Sequence, residues 1–319
     1  MMSFKTAFKV IQAGPLASLQ DAGRFGVRQL GITQGGAIDL HAWAWANALV
    51  GNPWGPAALE ITFSGLQLEA TADLQLAIAG ADLGAAIDKK PIDNWAACQI
   101  KAGQRLEFTK PVNGLRAYLA VLGGFQAEPL LGSLSGVARE QLGGHNGDGK
   151  QLAVGDRLQV LDNTADAPTQ ARQIPAREKP DYSQPAVLDF ILGAQAEYFS
   201  GVSLFEFFNQ GWSVDNRSDR MGIRLNGPLL KCAINNLVSE GLALGALQVP
   251  PDGQPIVLLN DRQTIGGYPR LGTLTPLACA RLAQCLPGQQ VTFRPVPAER
   301  AYQQHLKFLQ QVGHARPSA

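Results

Sequence analysis

The sequence predicts a mainly β (α+β) protein built from two β-rich domains with few helices. Its 319 residues include 35 glycines and 20 prolines, a composition typical of a chain with many turns. A chain of this length also exceeds the size at which one hydrophobic core usually stops growing. Apolar runs of strand character recur along it, at 74–80, 118–124, 158–160, 255–261 and 291–296.

A short pattern is repeated three times, in which a glycine precedes alternating polar and apolar residues. The glycines are Gly103, Gly155 and Gly288. We expect each of them to adopt a positive φ in a tight turn that leads into a half-buried strand. The repetition predicts β-barrel construction on both sides of a central linker.

That linker is indicated by prolines and polar residues between 162 and 186, where no apolar periodicity is present. Such composition is typical of a connection between domains. We therefore divide the chain into an N-terminal β-rich domain at 1–165, a linker at 166–186 and a C-terminal β domain with a terminal helix at 187–319.

Two helices are predicted with definite ends. The first occupies 39–50, begins after Asp39 as N-cap and ends before Gly51. The second, at 297–312, is amphipathic and is expected to pack on the core through an apolar stripe. The stripe consists of Tyr302, Leu306, Leu309 and Val312.

Composition excludes several partners. Lys and Arg number 27 against 26 Asp and Glu, and a net charge of +1 is too small to gather nucleic acid or an anionic membrane. We expect no signal peptide and no membrane span. The four cysteines lack CxxC spacing, which indicates free thiols and a cytoplasmic protein. The four histidines form no metal-binding pair, so no metal site is predicted from them.

Two glycine-rich segments each allow two interpretations. Residues 143–151 resemble a phosphate-binding P-loop up to Lys150, but Gln151 replaces the required Ser or Thr and a strand pattern follows, which favours a surface hairpin. Near the N-terminus, Asp21 and Arg24 lie among glycines. There the loop either holds an anion or forms a turn in which Asp21 caps backbone N–H groups.

The segment 216–272 carries most of the candidate chemistry. Loops held by rigid strands commonly carry function. Its guanidinium groups can present paired donors to phosphate or carboxylate, and its carboxylates can act as bases or hold Mg²⁺. Alternatively, Arg and Asp pair on the surface and the glycines only make turns. The candidates are Arg217, Arg220, Arg262, Glu240, Asp261, Thr264, Gly266 and Gly267.

Strings spread over residues 10–293 carry a resemblance to one known family. They include QDAGRFG (20–26), LEIT (59–62), DRMGIRLNGP (219–228), SEG (239–241) and QVPPDGQPIVLLNDRQTIGGYPRLG (248–272). The last string is long and specific. The chain resembles the family of 5-oxoprolinase C-type subunits, also called allophanate hydrolase subunit 2 or Kip antagonist, which is similar to the carboxyltransferase part of urea carboxylase.

The resemblance implies a cyclophilin-like β-barrel architecture. It also implies that this chain is one subunit of a hetero-oligomeric enzyme and is inactive alone. It implies two 5-oxoprolinase partners, one Kip inhibitor-like (the B-type partner) and one metal-dependent (the A-type partner). It also implies a small-molecule amide as substrate, and ATP with Mg²⁺ as cofactors. The implied reaction opens the lactam of 5-oxoproline to glutamate. Phosphoryl transfer to the lactam oxygen would turn that oxygen into a leaving group.

The resemblance also implies roles for individual residues. Arg220 is expected to neutralise phosphate or a substrate carboxylate, Glu240 or Asp261 to hold Mg²⁺ or move a proton, and Tyr268 to orient the substrate. Residues expected to bind substrate or nucleotide are Gln20, Asp21, Arg24, Arg217, Gln248, Arg262, Gln263, Thr264, Gly266 and Gly267.

Two other functions stay open at this point. The chain could be a carboxyltransferase component that acts on urea or a related amide. Methionine occurs only at positions 1, 2 and 221, so no covalently attached biotin is expected and another protein would carry it. The chain could instead be a regulatory protein that antagonises a kinase-inhibitor partner, in which case the polar segment is an interface.

Overall fold

The structure is a computed structural model that describes residues 3–162, 174–234 and 237–313. These residues group into two compact units. The first comprises the described parts of Met1–Arg24, Gly35–Ser183 and Leu309–Ala319, and the second comprises those of Phe25–Gln34 and Gln184–Phe308. Residues 166–173 of the predicted linker lie outside the described residues.

The first unit contains two antiparallel sheets. Its described strands are β1 Phe4–Ala13, β2 Leu16–Gln20, β3 Ala58–Thr62, β4 Leu66–Ala70, β5 Leu74–Asp82, β6 Ala85–Ile87, β7 Lys90–Pro91, β8 Ala96–Ile100, β9 Arg105–Phe108, β10 Asn113–Val121, β11 Phe125–Gln126 and β12 Arg157–Leu161. Seven of them form one sheet in the order β11-β12-β1-β4-β9-β6-β7, and five form another in the order β2-β3-β10-β5-β8.

A single hydrophobic core joins these two sheets. Phe8 and Leu68 of the seven-stranded sheet and Leu59 and Leu119 of the five-stranded sheet are fully buried in one cluster. The chain passes between the sheets at Gly14, whose φ is +68°, and a Cβ atom there would come within 3.0 Å of a backbone nitrogen. The β-barrel predicted for the N-terminal part of the chain is therefore not formed. The first unit has two packed sheets instead, because the chain repeatedly crosses from one sheet to the other between consecutive strands.

The second unit is built on a closed barrel. Its described strands are β13 Ala186–Leu192, β14 Trp212–Val214, β15 Gly222–Asn226, β16 Glu240–Gly241, β17 Ala246–Gln248, β18 Ile256–Leu258, β19 Ile265–Gly266, β20 Arg270–Leu274 and β21 Gln290–Pro295. The barrel order is β13-β20-β17-β18-β15-β14-β21. Strands β16 and β19 form a separate two-stranded ladder.

Aromatic rings fill part of this unit's interior. Phe207 stacks on Phe293 with ring centroids 4.3 Å apart, and Phe190 meets Phe207 edge-on at 4.9 Å. Trp212 is fully buried, and its indole nitrogen donates to the Phe207 carbonyl over 3.2 Å. Each such aromatic pair adds about 0.5–1.5 kcal/mol beyond the burial of its area, so the barrel is a rigid support for its loops.

The described helices are α1 Leu40–Leu49, α2 Gly201–Asn209, α3 Pro276–Leu282 and α4 Ala298–Gln311. The prediction for α1 is confirmed, since the Asp39 side chain accepts from the Ala42 amide over 2.9 Å. Helix α4 is also present, but its predicted stripe is partly wrong. Tyr302 is 48% exposed, whereas Ala301, Phe308 and Val312 are buried, so the buried face begins one residue earlier.

Two local predictions, the turn glycines and the free thiols, are confirmed. The three turn glycines, Gly103, Gly155 and Gly288, have φ values of +85°, +93° and +84°. The four cysteines carry free thiols. Within the described residues, none of the helices has the length and apolar character needed to cross a membrane.

The P-loop interpretation of 143–151 is wrong. Turns and an isolated bridge between Gly143 and Asp148 form this segment, and Lys150 pairs with Asp148 over 2.9 Å. In a P-loop, the glycine-rich loop leads into a helix whose N-terminus binds the phosphate. Here the next described element after 143–151 is strand β12 and not a helix. Residues 143–151 therefore form a surface turn that contains the Asp148–Lys150 ion pair.

Candidate functional site

The short β16–β19 ladder brings together predicted residues that are distant in the sequence. Glu240 pairs with Gly266 and Gly241 pairs with Ile265. The ladder continues on one side through the Leu242 amide, which donates to the Thr264 carbonyl over 3.0 Å. These contacts place a carboxylate, a hydroxyl-bearing residue and two adjacent glycines on one small element of the second unit.

Arg220 and Asp261 form a bidentate ion pair. Arg220 Nε lies 2.8 Å from Asp261 Oδ2, and Arg220 Nη2 lies 3.0 Å from Oδ1. The two residues meet because Arg220 precedes β15, Asp261 follows β18, and these strands pair antiparallel. The side chain of Asp261 is 9% exposed and that of Arg220 is 23% exposed. Both predicted residues therefore lie together, and each is held by the other.

Glu240 is also paired with an arginine. Arg270 Nη2 donates to the Glu240 carboxylate, and Arg270 Nη1 donates to the Gly241 carbonyl over 3.0 Å. Gln195 contacts both partners, since its Oε1 accepts from the Arg270 amide over 2.8 Å and its Nε2 lies 3.5 Å from Glu240 Oε2. The Glu240 side chain is still 53% exposed, so a ligand can reach this carboxylate.

Two guanidinium groups share one backbone acceptor next to the ladder. Arg262 Nε donates to the Leu242 carbonyl over 3.1 Å, and Arg28 Nη2 donates to that same oxygen and to the Thr264 carbonyl. Burial, and then the Arg28 charge, lowers the pKa of Arg262 to about 10. In the described part of the chain, neither arginine forms an ion pair with a carboxylate.

The candidate site therefore has a positive charge balance. Around the ladder, three guanidinium groups, from Arg28, Arg262 and Arg270, accompany the carboxylate of Glu240, and the Arg220–Asp261 pair adds no net charge. The surplus favours an anionic ligand, because charges in a partly desolvated site attract counter-ions more strongly than charges in bulk water.

The predicted Mg²⁺ role of Glu240 and Asp261 does not fit this geometry. Each carboxylate is engaged by a guanidinium, and the described residues contain no group of three or more His, Cys, Asp or Glu side chains that could hold a metal ion. Mg²⁺ prefers oxygen ligands in octahedral geometry, which two arginine-paired carboxylates do not supply. The metal-binding role of these two residues is therefore corrected.

Arg217 and Arg262, whose ligand-binding role stays a prediction, both contact other residues of the chain. Arg217 forms a two-point pair with Asp215 at 2.8 and 2.9 Å while its own side chain is 68% exposed. That pairing keeps the pKa of Asp215 well below its usual range. Arg262 is 3% exposed and directs Nη1 at the Leu259 carbonyl and Nη2 at Gln34. Both side chains hold the protein's own loops.

The residues at 20–24 belong to the first unit and serve a structural role there. Asp21 is 8% exposed and accepts from the hydroxyls of Ser133 and Ser135, over 2.7 and 2.5 Å, and from the Leu134 amide over 2.6 Å. Arg24 is fully buried and donates to the Leu130 and Ser135 carbonyls. These side chains fix the 130–136 loop, and their ligand-binding role stays a prediction.

Gln20 shares this loop-fixing role. Its side chain is fully buried, and Nε2 donates to the Gly136 carbonyl over 2.9 Å and to the Ser18 hydroxyl over 3.0 Å. Gln20 is thereby fixed within the same network of contacts, and its ligand-binding role stays a prediction.

The remaining predicted residues lie along and beside the ladder. Gln263 and Thr264 are half-buried, and Tyr268 is 42% exposed. Gln248, at the end of β17, is only 2% exposed, and its Nε2 has no hydrogen-bond partner among the described residues. A Cβ atom on Gly266 would lie 3.0 Å from that nitrogen, so Gln248 and the ladder are immediate neighbours.

Three residues of this site were missed in the sequence: Arg28, Gln195 and Arg270. Arg270 lies inside the string 248–272 that carries the family resemblance, so its type and position were available as a signal. Arg28 sits in a single 3₁₀ turn, Arg28–Leu30, that is 214 positions from its acceptor at Leu242. Nothing in the local sequence around Arg28 or Gln195 indicates such a distant partner.

The fold and site define a class of protein. A strand-rich chain with a closed barrel and arginine-paired carboxylates matches, over residues 30–295, the sequence profile described as "Carboxyltransferase domain, subdomain A and B". The match covers more than half of the chain. The chain belongs to this carboxyltransferase-domain family, which confirms both the predicted relationship and the mainly β fold.

Within that family, curated relatives include the C-type subunit of 5-oxoprolinase from Escherichia coli (strain K12). It is 37% identical over 294 residues, which cover 92% of this chain and 92% of the relative. The corresponding Haemophilus influenzae protein is 33% identical and covers 89% of this chain and 90% of the relative. The urea amidolyase of Lachancea kluyveri is 29% identical over 93% of this chain but only 17% of the relative.

Solved structures show the same fold. The K. lactis urea amidolyase superposes with a TM-score of 0.89 at 26% identity, covering 98% of this chain and 20% of that chain. TTHA0988 superposes with a TM-score of 0.80 at 32% identity, covering 91% of this chain and 55% of that chain. This chain therefore corresponds to one part of two larger polypeptides.

Proposed function

We propose that this chain is one component of an ATP-dependent 5-oxoprolinase, which opens the lactam of 5-oxoproline to glutamate together with the B-type and A-type partners. The observation that carries the proposal is the alignment with the E. coli 5-oxoprolinase C-type subunit, at 37% identity over 92% of both sequences. The urea amidolyase of L. kluyveri matches this chain over only 17% of its own length.

The chemistry of the substrate is consistent with the charge balance of the site. 5-Oxoproline carries a carboxylate, and a phosphorylated lactam oxygen would add further negative charge. The positive surplus around the β16–β19 ladder stabilises both. We propose that Arg220, held by Asp261, faces the developing charge and that Tyr268, 42% exposed beside the ladder, orients the substrate.

Glu240 is the residue we propose for proton transfer. A carboxylate that acts as a base must be reachable by the substrate and must keep a fixed position. Glu240 meets both conditions, because its side chain is 53% exposed and is held by Arg270 and Gln195. Asp261 is only 9% exposed and is engaged on both oxygens, so its proposed role is to position Arg220.

We further propose that the assembled complex requires ATP and Mg²⁺. When bound, ATP supplies the phosphoryl group that activates the lactam oxygen. The guanidinium surplus fits an anionic ligand of this kind. Glu240 and Asp261 do not fit a Mg²⁺ site, because each is engaged by an arginine.

Reconstitution tests this function directly. The chain is mixed with its B-type and A-type partners, and ATP-dependent release of glutamate from 5-oxoproline is measured with each component left out in turn. We expect release only when all three proteins and ATP are present. Full release in the absence of this chain would overturn the proposal.

A second candidate is a carboxyltransferase component that uses biotin carried by another protein. It is favoured by the family match over residues 30–295 and by the 0.89 TM-score with the K. lactis urea amidolyase. Carboxyl exchange with a biotinylated carrier domain, in the presence of urea or a related amide, separates the two functions. Exchange without 5-oxoproline turnover supports the second candidate, and the reverse result supports the first.

A further inference from the structure

Two arginines meet at one backbone oxygen beside the β16–β19 ladder. Arg28 Nη2 and Arg262 Nε both donate to the Leu242 carbonyl, and Arg28 Nη2 also donates to the Thr264 carbonyl. Among the residues that the structure describes, no carboxylate pairs with either guanidinium. Two positive charges held at one acceptor repel each other. An anion bound beside them would supply the missing counter-charge.

The two guanidinium groups differ in the donors that they have left. Arg262 is 3% exposed, and its three nitrogens donate to acceptors of the protein at Leu242, Leu259 and Gln34. Arg28 uses only Nη2, while its Nε and Nη1 have no acceptor within the described part of the chain. Neither of these two nitrogens is sealed from solvent. A ligand can therefore contact Arg28, and Arg262 adds a second positive charge nearby.

The surroundings of Arg28 are open to solvent. Arg28 is half-buried and begins the 3₁₀ turn Arg28–Leu30, which lies between Gly26 and Gly31. A Cβ atom on either glycine would meet no atom within 4 Å, and the same holds for Gly241, the residue before Leu242 on the ladder. Both the turn and this end of the ladder therefore border solvent, so a small anion can reach the Arg28 side chain.

The charges at this position select the kind of anion. Glu240, the acidic residue of the ladder, is already bonded to Arg270, which leaves the charges of Arg28 and Arg262 to be balanced. A phosphate group carries a charge of about −1.5 to −2 near pH 7 and several strong acceptor oxygens, whereas a carboxylate carries a single charge. A phosphate group therefore balances the two arginines better, and guanidinium groups are well suited to phosphate recognition.

We propose that Arg28 binds a phosphate group by donating from Nε or Nη1 to a phosphate oxygen. The two bonds from Nη2 hold the guanidinium in place, and Arg262 adds attraction through its charge. The choice of ATP as the source of the phosphate rests on the proposed function. The phosphate subsite itself depends only on the contacts and charges of the two arginines.

Titration of the isolated full chain with inorganic phosphate tests the subsite. The Arg28 Nε–H signal, identified by its loss in Arg28→Lys, is followed by NMR at constant ionic strength, and acetate is the matched probe with a single charge. We expect the signal to shift and saturate with phosphate and to move little with acetate. No shift with phosphate, or an equal shift with acetate, overturns the proposal.

Two arginines of the second unit provide a matched pair of variants. Arg224 is exposed on β15, and its side chain forms no hydrogen bond or ion pair with the described residues. Arg28→Met and Arg224→Met each remove one positive charge. We expect Arg28→Met to weaken phosphate binding at least about tenfold, the size of losing one hydrogen bond between charged groups, and Arg224→Met to bind like the wild type. Equal affinities for the two variants would contradict the proposal.

A lysine variant separates phosphate binding from a purely structural role. Arg28 also ties the ladder to its turn, so Arg28→Met is expected to lower Tm as well. Arg28→Lys keeps the charge but not the planar donor geometry, and its phosphate affinity should lie between those of the wild type and Arg28→Met. A lowered Tm with unchanged phosphate affinity in both variants would show that Arg28 only holds the ladder.

The source of the phosphate is tested by following the same Arg28 signal with ATP and with 5-oxoproline. We expect ATP to shift the signal and 5-oxoproline to leave it in place. A shift with 5-oxoproline alone would overturn the proposal, because the arginine would then bind a carboxylate.

The subsite and the proposed function can fail separately. Phosphate binding that depends on Arg28, without glutamate release by the reconstituted complex, would leave the subsite standing and remove the proposed reaction. Glutamate release together with an Arg28 signal that does not respond to phosphate or ATP would keep the reaction and remove the subsite.

Discussion

Arg220 and Asp261 are joined by two parallel hydrogen bonds, with Nε–Oδ2 at 2.8 Å and Nη2–Oδ1 at 3.0 Å. The Asp261 amide adds a third contact, donating to the Arg220 carbonyl over 2.9 Å. The loops before β15 and after β18 are thereby fixed to each other at both side-chain and backbone level. Removing one charge leaves the other partly buried and without this counter-ion.

We predict that Asp261→Asn lowers the free energy of unfolding by about 2 kcal/mol, because hydrogen bonds to charged groups are worth about 1.5–3 kcal/mol. Urea denaturation of the isolated chain measures this loss. The double variant Arg220→Met with Asp261→Leu should lose less than the sum of the two single variants, since the pair is removed together. Additive losses would show that the pair does not act as a unit.

Glu240 is expected to matter for activity and little for stability. Its ion pair with Arg270 is largely solvated, and exposed pairs contribute about 0–1 kcal/mol. We predict that Glu240→Gln changes unfolding by less than about 1 kcal/mol and lowers kcat of the reconstituted complex about a hundredfold, the range of a lost proton-transfer group. Unchanged kcat would remove Glu240 from the proposed chemistry.

Asp21 is expected to show the opposite behaviour. It accepts hydrogen bonds from Ser133, Leu134 and Ser135 in the first unit. We predict that Asp21→Ala costs about 3 kcal/mol of unfolding free energy, because four donors, including the Gly23 amide, lose their acceptor. Ser133→Ala is the milder control and should cost about 1 kcal/mol. A fully stable Asp21→Ala chain with weakened ligand binding would favour the anion-binding interpretation over the structural one.

Stability should fall in mild acid through His41. Burial next to Trp95 lowers the pKa of His41 to about 4, from its ordinary value of 6.5. Below pH 6.5 the unfolded chain binds a proton that the folded chain does not, so stability is lost as the pH falls from 6.5 towards 4. We predict a loss of roughly 2 kcal/mol between pH 7 and pH 5 from this residue.

The pH prediction is checked by measuring unfolding free energies at both pH values for the wild type and for His41→Gln. The variant should lack the His41 share of the loss. If both proteins lose the same stability between the two pH values, His41 does not titrate as the structure indicates.

Local features of the fold could be predicted from the sequence because their causes are local. Glycine at 103, 155 and 288 permits the positive φ of each turn, and Asp39 supplies the acceptor for the first turn of α1. The buried face of α4 was harder to predict, because Ala301 and Tyr302 are adjacent in the helix and either could border the apolar stripe. Only tertiary packing decides which of the two is buried.

The sequence indicated which segment carries the candidate site, but it did not indicate which residues of that segment contact each other. Residues 216–272 contain both arginine-paired carboxylates, yet the pairing depends on which strands are neighbours. Arg220 reaches Asp261 because β15 and β18 pair. Glu240 reaches Arg270 because the β16–β19 ladder folds back beside β20. Composition cannot supply this register, and for the same reason the contacts of Asp21 and Arg24 with the 130–136 loop could not be predicted.

The most direct test of the proposed function is the coupling of glutamate formation to ATP consumption in the complex reconstituted from this chain with its A-type and B-type partners. We predict that adding this chain to the two partners starts 5-oxoproline-dependent release of glutamate and of ADP in equal amounts. Equal rates of glutamate formation with and without the chain would contradict the proposed function.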